Sequence, residues 1–180
     1  NYARRIQCVG NYRQIFLGTV NYQDENKEFI CNGDIRGTVF GGVGQYWHSR
    51  ILYYAGGQKG KNSAKIFNCP SEPAPENFPY TSYGINWAFM RKTSSVKEPS
   101  RVLHVAEGGG MNYRIDSANW WYFRHGGTYL RAPGTLNYGP GAKTNVMYFD
   151  GHVALMTQPE SRQVNMQDGF YANAKVDWHE

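Results

Sequence analysis

Residues 2–22, YARRIQCVGNYRQIFLGTVNY, decide the fold. Ile6, Val9, Arg13, Phe16 and Val20 fall on one stripe at helical spacing, with Tyr2 ahead of them and Tyr12, Ile15 and Thr19 beside them. Positions recurring at i, i+3 and i+7 mark an amphipathic helix, one side of which packs on another element. Arg4, Arg5, Asn11 and Gln14 mostly lie off the stripe, and Gly10 and Gly18 weaken it slightly. The polar cluster QDENKE, residues 23–28, ends it. The chain opens at Asn1 inside this pattern, so a longer natural precursor is expected.

Downstream the pattern changes to short strands and irregular loops. Residues 35–40 read as a strand and 45–55 as a short helix with Tyr46, Trp47, Ile51 and Tyr54 on or near one face. GGQKGKNS, residues 56–63, reads as a surface loop. A short strand is expected to end at Cys69, followed by a connector with Pro70, Pro73, Pro75 and Pro79. Residues 82–89 and 102–106 read as strands, the second closed by three glycines. NVMYFDGHVAL, residues 145–155, reads as a hairpin, because Asp-Gly suits a two-residue turn with positive φ. That register sets Phe149 opposite His152 and Tyr148 opposite Val153, placing Val146, Tyr148, Val153 and Leu155 on one face. With no βαβ alternation, the fold class is α+β: one long N-terminal helix on an antiparallel sheet, in a single domain spanning residues 1–180.

Composition agrees with a folded, loop-rich domain: 41% apolar, 16% aromatic, 18% charged, with 21 glycines. The net charge of +5 is spread without a dense Lys/Arg block, so it reads as a basic surface rather than a nucleic-acid footprint. No apolar run approaches the ~20 residues that span a bilayer.

Few patterns carry chemistry. His125 and His152 flank Asp150, and the three together could bind a metal or move protons if they converged. Asp150 at a turn is expected instead to bond its own backbone. Serine-nucleophile and phosphate-loop motifs are absent. Asp24, Glu25 and Glu28 lack calcium-ligand spacing and read as a solvated helix end. Cys8, Cys31 and Cys69 contain no CxxC pair, so zinc spacing is missing and no metal or cofactor is expected. Cys31 with Cys69, or Cys8 with Cys69, are candidate disulfides. In NWWYFRH, residues 119–125, Trp120, Trp121 and Tyr122 are candidate surface contacts, although core aromatics of a sheet are the commoner explanation.

Several blocks together resemble pilin-like proteins with a prepilin-type cleavage and methylation signal. In the first block Ala3, Arg4, Cys8, Asn11, Gln14 and Tyr22 match that family's pattern. FNCPSE resembles its Phe-x-Cys-Pro element and YTSYGINWAF its Tyr-Gly-x-Asn element. His125, Asp150 and Gly151 resemble its C-terminal His…Asp-Gly signature, whose usual spacer is nine residues; here 24 residues stand between His125 and Asp150. The longer spacer favours a structural signature over a strict geometric role.

The resemblance implies a non-enzymatic, pseudopilin-like structural subunit of a type II secretion-like or type IV pilus-like envelope assembly in bacteria. Residues 2–22 would be the outer half of a helix whose apolar half anchors the precursor in the inner membrane. Its partners would be other such subunits, through that helix. Loops around residues 56–62 and 128–143 would meet neighbours, secreted cargo or glycan. The rival expectations are a carbohydrate- or surface-binding module using Trp120, Trp121 and Tyr122, and a metal-dependent enzyme using His125, Asp150 and His152.

Overall fold

The computed structural model describes residues 2–28, 47–55, 65–72, 81–86, 92–108, 114–115, 121–126 and 140–157. Helix α1 runs Tyr2–Glu25 and helix α2 runs Trp47–Tyr54. Strands β1 (Tyr83–Asn86), β2 (Leu103–Glu107), β3 (Arg114–Ile115), β4 (Lys143–Tyr148) and β5 (Val153–Thr157) form one sheet in the order β3-β1-β2-β4-β5. The β1-β2-β4-β5 core of the sheet is antiparallel, and β3 joins its β1 edge in parallel. The class is α+β, with the N-terminal helix laid on the sheet.

Helix α1 ends where the polar cluster was expected to end it. Lys27 and Glu28 take left-handed φ values of 55° and 66°. The Glu28 N–H then reaches back to the Gln23 carbonyl at 2.8 Å, closing the last turn.

The buried side of α1 is not the stripe expected from sequence. Cys8, Asn11, Tyr12, Ile15, Gly18 and Thr19 face inward, while Ile6 and Arg13 are exposed. At about 100° per residue, this face is roughly a third of a turn from the expected one. Tyr2, Ile6 and Leu17 lie on nearly the opposite side, 71%, 49% and 61% exposed. The helix therefore carries apolar groups on two faces, and the larger outer ones misled the periodicity. Small and polar residues share the inner face with Tyr12 and Ile15: Gly18 admits α2, and Asn11 donates to the Asn68 carbonyl at 3.1 Å and to Tyr83 Oη at 3.2 Å.

The hairpin differs by one residue from its expected register. Met147 pairs with Val153 and Val146 with Ala154. The Gly151 N–H bonds the Tyr148 carbonyl at 3.0 Å, and Gly151 takes φ +86°. The connection is thus a three-residue turn over Phe149, Asp150 and Gly151 with glycine in the left-handed position. One residue of slip reverses the faces of β5 relative to β4. Val146, Tyr148, Ala154 and Met156 pack on one side with Leu103, Ala106, Trp121 and Phe123. Met147 and Val153 pack on the other, under α1.

Of the other expectations, the short helix appears as α2, and the strands at 82–89 and 102–106 appear as β1 and β2. The strand expected before Cys69 is instead a 3-10 turn, Lys65–Phe67. The strand at 35–40 and the loop at 56–63 lie outside the described residues, as do Trp120, Cys31 and most of the 128–143 loop.

Candidate functional site

Helix α1 is seated over a buried polar centre rather than a purely apolar one. Cys8 comes from α1, Cys69 from the turn after the 3-10 segment, Glu107 from the end of β2, and His125 from an irregular stretch that bridges to Lys143. All four side chains are buried, and one ligating atom from each lies within 4.8 Å of the others. Cys8 Sγ and Cys69 Sγ are 2.8 Å apart, and Cys69 Sγ is 4.0 Å from His125 Nε2. His125 Nε2–H donates to Glu107 Oε1 at 2.7 Å.

Neighbouring polar groups orient the four. Asn145 Nδ2 donates to Glu107 Oε1 at 2.9 Å, and Ser71 Oγ lies 3.4 Å from His125 Nδ1. Tyr12 of α1 donates its hydroxyl to the Asn145 carbonyl at 2.8 Å. Glu107 Oε2 is buried and finds no hydrogen-bond partner among the described residues. Below the centre, Arg124 bonds Glu72 Oε2 and the carbonyls of Ser82 and Gly108, so a second buried charge is fully paired.

The electrostatics follow from burial and proximity. Burial alone would lower the His125 pKa; the hydrogen bonds with Cys69 and Glu107 and the adjacent negative charge outweigh it and push it up to about 9. Burial, joined by the Cys8 hydrogen bond and the Glu107 charge, pushes the Cys69 thiol well up. His125 is thus held as an imidazolium against Glu107, beside a protonated Cys69 thiol. Two sulfurs, one imidazole nitrogen and one carboxylate oxygen are also the donor types that zinc takes.

His125, Asp150 and Gly151 do not share a site. His125 bridges Lys143 at the start of β4, whereas Asp150 and Gly151 lie in the turn beyond its end. Asp150 Oδ1 accepts from the His152 backbone N–H at 3.1 Å and lies 2.6 Å from His152 Nδ1, at the surface. The convergence required of a His125, Asp150 and His152 centre is therefore missing. His152 instead stacks on Tyr148 at 4.2 Å. Gly151 presses against Phe16 of α1, where an added Cβ would stand 2.6 Å from the ring.

Trp121 is fully buried and Tyr122 is half-buried. Arg124 lies 4.9 Å over the Tyr122 ring. Cys8 and Cys69 are both thiols with their sulfurs side by side, whereas Cys31 of the other candidate pair lies outside the described residues. Sequence reasoning missed Glu107 and Glu72. The available signal was a carboxylate closing the strand LHVAE, since a charge at the end of a buried run requires a partner.

No family model, curated protein or solved structure matches this chain. No helix among the described residues is long and apolar enough to cross a membrane.

Proposed function

We propose that this chain is a non-enzymatic, pilin-like or pseudopilin-like structural subunit of a bacterial envelope assembly, anchored to the inner membrane as a precursor. The observation that carries the reading is the two-faced helix. One face of α1 is buried through Tyr12, Ile15 and Thr19, and Tyr12 bonds β4 directly. The other presents Tyr2, Ile6 and Leu17 to solvent along a helix of 24 residues, about 36 Å long. In this reading the outer stripe packs against the same helix of neighbouring copies, and the sheet gives each subunit its own stable body. Apolar contact of this kind is the usual currency of subunit association.

The glycan-binding alternative draws less support, because Trp121 fills the core instead of facing a ligand. Fractionation of cells making the gene product with its natural start tests the proposal. The full-length protein should sediment with membranes and be released by detergent. A full-length product that stays soluble would contradict it.

A further inference from the structure

We propose that Cys8, Cys69, Glu107 and His125 form a closed, four-ligand zinc site that pins helix α1 to the sheet. The inference is independent of whether the chain assembles with copies of itself.

Four donors from four separate segments point into one buried volume, with their ligating atoms within 4.8 Å of one another. Zinc with thiolate, imidazole and carboxylate ligands at about 2.0–2.3 Å sets neighbouring donors roughly 3.3–3.8 Å apart. The sulfurs at 2.8 Å and the His125–Glu107 pair at 2.7 Å therefore need to open by only about 1 Å or less to admit the ion. A Cys8–Cys69 disulfide would account for the sulfurs alone. It would leave His125 aimed at Cys69, and Glu107 Oε2 buried without a partner. Zinc uses all four residues.

The surroundings suit a ligand set. Ser71 stands at His125 Nδ1, where it can accept the N–H and leave Nε2 for the ion, and Asn145 holds the carboxylate. Four protein ligands, all buried, leave no open position, so the site is structural rather than hydrolytic.

The test is elemental analysis of the whole chain, free of affinity tag and dialysed, beside its intact mass without reductant. The expected result is about one zinc per chain, with the mass of the dithiol form. Cys8→Ser, Cys69→Ser and His125→Gln should each lower zinc to below about a tenth per chain, and Cys31→Ser should retain it. Because a ligand variant can fail by unfolding, Co2+ is also added to reduced, chelator-stripped wild-type protein. Tetrahedral cobalt–thiolate absorption bands are expected, and added Zn2+ should displace them. The proposal is overturned by any of three results: metal-free protein whose mass is two hydrogens lighter and maps to a Cys8–Cys69 bridge, no cobalt bands in the reduced wild type, or zinc lost on Cys31→Ser.

Discussion

Gly18 of α1 and Ile51 of α2 meet with no room for a methyl group between them. A Cβ on Gly18 would stand 2.8 Å from Ile51 Cγ2 and 2.9 Å from the Ala55 Cβ. The two helices touch because this position lacks a side chain. Gly18→Ala gains up to about 1 kcal/mol in helix propensity but forces α2 outward, at a cost of about 1–3 kcal/mol. Gly10, on the same helix, has nothing within 4 Å of its added Cβ. Urea unfolding should therefore show Gly18→Ala destabilised and Gly10→Ala stabilised by about 0.5–1 kcal/mol. Equal gains at both positions would mean that α2 does not press on Gly18.

The Arg124–Glu72 pair supports the floor of the polar centre with both side chains fully buried. Arg124→Met leaves the Glu72 carboxylate and two carbonyls without their donor, and should cost about 3–5 kcal/mol. Adding Glu72→Gln removes the stranded charge, so the double variant should be less impaired than the sum of the two single ones. Strict additivity in denaturant titrations would argue against a coupled pair.

Two other histidines set an acid limit on stability. Burial lowers the pKa of His48 to about 4 and that of His104, stacked 4.1 Å from Phe149, to about 3. Their ordinary value is 6.5, so below that pH the unfolded chain takes up protons that the folded chain refuses. Stability contributed by each is complete above about pH 6.5 and falls by up to about 1.4 kcal/mol per pH unit as pH drops toward the folded value. Urea midpoints at pH 7 and pH 5 should differ accordingly, and His104→Phe should shrink the difference. An unchanged difference would remove His104 from the cause.

The helix and the antiparallel strands were legible in sequence because their signals are local: periodicity, a polar stop after residue 22, and glycines after residue 107. What escaped was set by contacts between distant segments. The inner face of α1 was misjudged because Asn11, Gly18 and Thr19 are poor by hydrophobicity and are buried for hydrogen bonding or close approach. The Asp-Gly pair correctly marked the turn, but the loop has three residues rather than two, and its Phe149 stacks on His104 of another strand, a contact that no local pattern announces. The four donors of the polar centre stand at positions 8, 69, 107 and 125, with no spacing rule to join them. His125 and Asp150, paired only by resemblance to a His…Asp-Gly pattern, lie at opposite ends of β4.

The two-faced helix is tested most directly by a photo-crosslinking residue in place of Leu17, in cells making the full-length protein, with the same residue at buried Ile15 as control. The account predicts covalent dimers and higher multimers of this chain from position 17 and none from position 15. Monomer alone from position 17, in cells where the protein is abundant and folded, would contradict it.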